Sequence, residues 1–305
     1  MSTTTTALQP ADDLRHRVPE GAKGRDSYFW NVILPEEQLG LQVYVWIDGK
    51  GVAGRQVAVW GPGAEPLAFE AVYDVPLGSG ADIDDVDVAG LQIRQPEPLQ
   101  SAVLRYRSDA VNLDYAFEAR HPAFNYGLNE HGSPPWMAIE RYEQLGRVTG
   151  RVEVAGRTIE LDRLGHRDHS WGRRNWRAPQ HWKWIVASTP SGRALNLFRW
   201  IVQGEIGTNG YVLRDGVPVG IADAKTHARY DADGTQRSLE ATITTEDGEQ
   251  TELVMERYGV VEIPVGGGTV LWEAACRVTI DGEDGAGQFE AQWARDYVDR
   301  LVAAR

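Results

Sequence analysis

The feature that most limits how this chain can fold is a short hydrophobic alternation that keeps returning. Leu41, Val43, Val45 and Ile47 alternate with Gln42, Tyr44 and Trp46. Val111, Leu113, Tyr115 and Phe117 alternate with Asn112, Asp114 and Glu118, and residues 238–244 repeat the pattern through Leu239, Ala241 and Ile243. A period of two puts one set of side chains on each face of a strand. Between such runs stand Asp-Gly pairs at 48–49, 215–216, 233–234, 247–248 and 281–282, and Asn209-Gly210. These dipeptides tolerate the positive φ of tight hairpin turns, which accounts for much of the glycine content. Short strands with tight turns make an antiparallel sandwich or barrel rather than a parallel α/β sheet, so the expected class is all-β. One helical spacing stands out near the C-terminus: Trp293, Ala294, Tyr297, Val298, Leu301 and Val302, with Arg295, Asp299 and Arg300 turned outward.

Charge and composition exclude several functions. With 31 basic and 44 acidic side chains, a net charge of −13, the chain lacks the basic footprint of a nucleic-acid binder or of a protein docking on anionic membranes. No apolar run approaches the roughly 18 residues of a membrane span. A single cysteine, Cys276, allows neither an internal disulfide nor a thiolate metal cluster. The first residues lack the charged-then-apolar pattern of a signal peptide, so the cytoplasm is the expected compartment. At 305 residues the chain suits one large β domain or two ordinary ones. The reading is two: a frayed tail over 1–21, one β unit over 22–160, and a second over 161–305 that carries the helix. A homodimer is left open.

The chemistry concentrates in one stretch. Positions 163–183 hold Arg163, Arg167, Arg173, Arg174, Arg177 and Lys183 against Asp168 as the only acid. Three of the seven histidines (His166, His169 and His181) and four of the eleven tryptophans (Trp171, Trp176, Trp182 and Trp184) fall there too. A basic, aromatic and titratable island in an acidic chain is the natural place for a site. On a strand, His166 and His169 point to opposite faces, and no Cys pair or His-Glu-x-x-His pattern supports a metal, so none is expected. There is no Gly-x-Ser-x-Gly elbow and no phosphate loop, and the glycines of 265–268 precede no helix. No cofactor is indicated.

The stretch Gly165-His-Arg-Asp-His-Ser-Trp-Gly-Arg-Arg-Asn-Trp176 resembles the Asp-His-Ser-Trp-Gly-x-Arg signature of proteins related to carotenoid 1,2-hydratase, AttH-like proteins and tocopherol cyclase. The approach Ile139-Glu-Arg-Tyr-Glu-Gln-Leu-Gly-Arg-Val-Thr-Gly150 and the early Asp26-Ser-Tyr-Phe-Trp-Asn31 resemble the same family. The resemblance implies two lipocalin-like β-barrels side by side, with a ligand pocket near their junction. It also implies hydrophobic terpenoid, polyketide or steroid-like substrates and hydration, cyclisation, isomerisation or pericyclic ring closure without a redox cofactor. The fold hosts several such chemistries and does not select one.

Carried over residue by residue, the resemblance makes Asp168 the acid that protonates an alkene and His169 its orienting partner or the base for water. Trp171, Trp176, Trp184, Tyr126 and Trp30 of the early segment would line a pocket that tolerates a carbocation. Arg174 would hold a substrate carboxylate or carbonyl. Two physical conflicts follow. Nearby arginines such as Arg167 and Arg174 should keep Asp168 ionised unless desolvation outweighs them. Strand alternation should also part Asp168 from His169, unless a bulge re-aims one of them, leaving Glu140 or Tyr142 as a second acid. The alternative is a carrier of a hydrophobic metabolite, with the Asp-His-Arg group as a sealed latch between barrels. A latch should be sealed and a catalyst should face the cavity.

Overall fold

A computed structural model describes residues 7–17, 24–78, 80–266 and 268–304. Eleven strands build the first sheet: β1 (Arg25–Leu34), β2 (Leu39–Asp48), β3 (Val52–Trp60), β4 (Ala68–Pro76), β5 (Asp85–Val88), β6 (Leu91–Glu97), β7 (Ser101–Arg107), β8 (Val111–Ala119), β9 (Phe124–Asn125), β10 (Glu140–Val154) and β11 (Arg157–Gly172). Eight more form the second: β12 (His181–Ser188), β13 (Ala194–Val202), β14 (Glu205–Arg214), β15 (Val217–Tyr230), β16 (Gln236–Thr245), β17 (Gln250–Glu262), β18 (Thr269–Ile280) and β19 (Glu283–Ala294). The C-terminal helix α1 spans Arg295–Ala303. The protein is all-β with two barrel-like antiparallel sheets, and among the described residues no helix is long and apolar enough to cross a membrane.

The second sheet is an up-and-down barrel that closes where β12 pairs with β19. The first runs β4-β3-β2-β1-β11-β10-β8-β7-β6-β5, with β9 on β10, and stays open between its end strands. Arg55 bridges that seam. Its guanidinium donates to Ala89 O at 3.1 Å, Glu70 O at 3.2 Å and the Tyr106 hydroxyl at 2.7 Å, so side-chain bonds stand where ladder bonds are missing.

Leu41, Val43, Val45 and Ile47 of β2 are all buried in the first core, beside Tyr28, Trp30 and Val32 of β1. Their alternates face the other way. Phe29 and Ile33 join Trp60, Leu145, Trp184 and Phe198 in an apolar cluster between the barrels. Asn31 and Gln42 make the polar part of that seam, each 2.8–3.0 Å from Gln288 of β19.

Three expectations are corrected. The division at 160/161 falls inside β11, because the whole β10–β11 hairpin pairs within the first sheet and the chain crosses over only between Gly172 and His181. Part of the expected tail, 1–6 and 18–21, lies outside the described residues, yet Pro10–Asp13 forms a 3-10 turn with a fully buried Asp13. Asp13 meets Arg167 at 3.2 Å and accepts from the Tyr142 hydroxyl and Leu99 N, so this segment plugs the first barrel. Asn209-Gly210 is no turn but lies within β14. The Asn209 amide is used instead to hold the β9–β10 connection of the first sheet, donating to Tyr126 O at 3.1 Å and Gly132 O at 2.9 Å.

Candidate active site

Regular pairing through the signature decides what meets what. Tyr28, His169 and Tyr142 stand in one row across β1, β11 and β10, and Phe29, Asp168 and Glu143 stand in the next. The first row points into the first barrel and the second toward the other barrel, because adjacent strand residues face opposite ways. No bulge interrupts β11 here, so Asp168 and His169 do not form a dyad.

His169 is buried in the first barrel. Its Nε2 lies 3.1 Å from Asp26, its Nδ1 lies 3.1 Å from Asp12 O, and its ring stacks 4.1 Å from Tyr28. Tyr142 and Arg167 are tied to Asp13 in the same barrel. Trp171 stacks on His16 at 3.9 Å, and Trp30 packs in the first core. Glu140 sits on the row of Trp171, near Asp12, and burial raises its carboxyl. Tyr126 lies behind the interface and bonds Asn196 at 2.7 Å. None of His169, Tyr142, Glu140, Trp171, Trp30 and Tyr126 lines the inter-barrel cavity. The ligating atoms of His16, Asp26 and His169 lie within 4.8 Å of one another, the arrangement among the described residues best suited to a metal ion. There both imidazoles already bond the same Asp26 oxygen, which ties the N-terminal segment to the signature strand.

Asp168, Arg174, Trp176 and Trp184 do line a cavity of about 420 Å³ between the barrels. Phe29, Gln42, Tyr44 and Trp46 complete one wall, and Trp182, Phe198, Leu271, Glu273 and Glu290 complete the other. Its size falls within the about 300–1,000 Å³ common for small-molecule sites, and convergent polar groups in an aromatic lining are the mark of one.

Arg141 organises the polar end. Its Nε donates to Glu143 at 2.6 Å and its Nη2 to Asp168 at 2.9 Å. Glu143 also accepts from His166 at 2.7 Å and Trp184 Nε1 at 3.0 Å. Burial opposes its charge, but Arg141 and these donors hold its carboxyl below the usual range. His166 is kept neutral, since burial depresses its imidazole. Glu143 thus takes the role of counter-ion to Arg141, and Asp168 is left without comparable donors. Burial then pushes the Asp168 carboxyl up to about 7, against the pull of Arg141 and Arg174. Desolvation outweighs the arginines, and the nearest one is Arg141, since Arg167 points into the first barrel.

A second pair of acids comes from the opposite barrel. Glu273 and Glu290 are directly paired across β18 and β19 and both line the cavity. Burial and mutual proximity drive Glu273 well above the ordinary range, and burial raises Glu290 as well. Gln288 donates to Glu273 at 2.7 Å, and Trp182 Nε1 donates to Glu290. Like charges this close favour one shared proton. Arg141, Glu143, Glu273 and Glu290 were not singled out in the sequence. The signal was present: a lone acid inside a buried strand run such as Leu-Trp-Glu-Ala-Ala-Cys is costly unless it has a use.

The fold is shared with solved structures. An AttH-type protein from Nitrosomonas europaea superposes with a TM-score of 0.71 at 15% identity, covering 96% of this chain and 98% of that one. Kievitone hydratase from Nectria haematococca gives 0.58 at 10% identity over 94% and 92%. CghA bound to Sch210972 gives 0.64 at 11% identity over 90% and 89%. These likenesses bear out the double-barrel fold that the resemblance to AttH-like proteins implies. No curated protein matches the chain in sequence. The family profile of a domain of unknown function, DUF7064, matches residues 9–295, nearly the whole chain, and the protein belongs to that family.

Proposed function

We propose that the protein is an acid–base enzyme, a hydratase, cyclase or isomerase acting on a hydrophobic unsaturated small molecule in the inter-barrel cavity. The observation that carries this reading is Asp168: a carboxyl that holds a proton near neutrality and faces a cavity walled by Trp46, Trp176, Trp182 and Trp184. A proton donor with a pKa near the working pH is the efficient one. Asp168 would give its proton to one alkene carbon, leaving a cation on the other. Indole faces would stabilise that cation. In a hydration, water would add to it, and the ionised member of the Glu273–Glu290 pair would accept the released proton. In an isomerisation or cyclisation the same pair would remove a carbon-bound proton instead. These side chains supply every proton transfer, so the chemistry needs no redox cofactor. Kievitone hydratase, by its name, performs a hydration on the same fold, which is compatible with this scheme.

A carrier would use the same tryptophans. The sealed latch it calls for is Glu143 with His166, both fully buried, whereas Asp168 faces the cavity. Untargeted mass spectrometry of a metabolite extract, with and without the protein, tests the reading. A product heavier or lighter by one water indicates a hydratase, and an isobaric product an isomerase or cyclase. An unchanged, co-purifying compound with no product would reject catalysis in favour of carriage.

A further inference from the structure

Two guanidiniums in the cavity have no counter-ion among the described residues. Arg25 and Arg174 both line it, and neither has a described carboxylate within ion-pair distance, unlike Arg141 beside them. They converge on one atom instead: Arg25 Nη2 lies 2.5 Å and Arg174 Nη1 3.3 Å from the Tyr44 hydroxyl, which donates to Ser27 at 3.1 Å. Arg174 gives two further donors to Ser170 Oγ at 2.7 Å and Met137 O at 3.3 Å, both neutral acceptors, and keeps two of its five N–H groups free of partners among the described residues. The Arg25 Nε is buried and has no partner among the described residues. Both cations lie over the Trp176 ring, 5.7 and 5.1 Å from its centre. In a chain with 44 acidic residues against 31 basic ones, carboxylates are plentiful, and Arg141 and Arg167 have theirs.

Arg25 and Arg174 are half-buried like charges that share one phenol, and among carboxyls only the more distant Asp168 and Glu290 offset the repulsion felt by Arg174. Burial pushes the Arg174 guanidinium down to about 10, with Arg25 and Arg141 adding repulsion, so it remains charged at neutrality but under stress. Despite burial, the same two arginines draw the Tyr44 phenol below its ordinary value. An anion placed between the two forks would relieve both effects. No described carboxylate of the cavity wall comes within ion-pair distance of either fork: Glu143 and Asp168 bond Arg141, and Asp168 and Glu290 act on Arg174 only from farther off.

We infer that the cavity takes an amphipathic monoanion, an unsaturated hydrocarbon skeleton bearing a carboxylate or comparably acidic enol, whose charged group docks on Arg25 and Arg174 beside Tyr44. The inference rests on the proposed function and narrows its substrate class. Anchoring the anion at the Arg25–Arg174 end leaves the apolar body for the tryptophan walls. A planar carboxylate suits guanidinium forks, which recognise it through paired hydrogen bonds.

The test compares farnesoic acid with farnesol, the same unsaturated skeleton with and without the charge, by quenching of tryptophan fluorescence at pH 8. The expected result is at least tenfold tighter binding of the acid. Arg25→Gln and Arg174→Gln should each cut that preference several-fold, weakening the acid far more than farnesol, while Arg174→Lys retains part of it. Circular dichroism checks folding, and if Arg174→Gln does not fold, Arg25→Gln reads the same ratio. Equal affinity for the two probes, no binding of either, or a preference untouched by both glutamine variants would overturn the inference. Failure of the enzyme reading is seen elsewhere: an intact acid preference with no turnover of any extract upholds the anion site and rejects catalysis. Turnover without acid preference does the reverse.

Discussion

The Arg141 guanidinium stands 2.9 Å from Asp168 and 2.6 Å from Glu143, one cation shared by two buried carboxyls. Glu143 has two further donors and stays ionised, so the proton that this cluster exchanges near neutrality sits on Asp168. If Asp168 is the acid, kcat/KM falls tenfold with each pH unit above about 7, and it falls again on the acid side where the Glu273–Glu290 base takes its second proton. A pH–rate profile on any converted substrate checks this. A rate that climbs through pH 7 would assign Asp168 the role of base.

The raised carboxyl of Asp168 has a stability counterpart. Its folded-state pKa lies above the unfolded one, so the stability it contributes is fully present below the unfolded value near 4 and is lost as pH rises through about 7. Asp168→Asn carries no such dependence and keeps an acceptor for Arg141. Its melting temperature should gain on the wild type between pH 5 and pH 8. Each tenfold difference in proton affinity between the folded and unfolded chain is worth about 1.4 kcal/mol, which bounds the gain. Thermal melts at the two pH values measure it.

Asp13 holds the N-terminal plug in the first barrel. Replacing it by alanine leaves Arg167, 1% exposed, without its carboxylate. Removing one partner of a buried pair typically costs about 3–5 kcal/mol. Urea unfolding of Asp13→Ala should show a loss of that order. Asp13 itself is kept ionised, against burial, by Arg167, Tyr142 and Leu99 N. Its contribution is therefore present above about pH 4 and fades as pH falls through its depressed value.

Trp46 lies flat on Gly54, its cross-strand partner, where a Cβ would come within 2.0 Å of the indole. Gly54→Ala should displace Trp46 from the cavity wall at a cost of about 1–3 kcal/mol. The expected signs are a shifted tryptophan emission and several-fold weaker binding of a hydrophobic probe, measured by fluorescence titration.

Strand periodicity made the all-β architecture legible, and the signature made Asp168, Arg174, Trp176 and Trp184 legible as neighbours. It also parted Asp168 from His169, as alternation requires. Glu273 and Glu290 lie more than a hundred residues beyond Asp168, and only the docking of two barrels brings them to one cavity. No local pattern encodes that docking. Arg25 and Tyr44 join the site for a different reason, the pairing of β1 with β2 and β11 inside the first sheet. The Asn209-Gly210 signal failed because tertiary bonds to the β9–β10 connection outweigh its turn preference.

The acid–base chemistry proposed for the inter-barrel cavity depends on Asp168 protonating substrate there. It is tested most directly by incubating a metabolite extract in heavy water with the wild type and with Asp168→Asn, and reading products by mass spectrometry. The expected wild-type product carries carbon-bound deuterium and is formed about 10²–10⁴-fold more slowly by the variant. A product free of solvent deuterium, or equal rates for the two proteins, would contradict it.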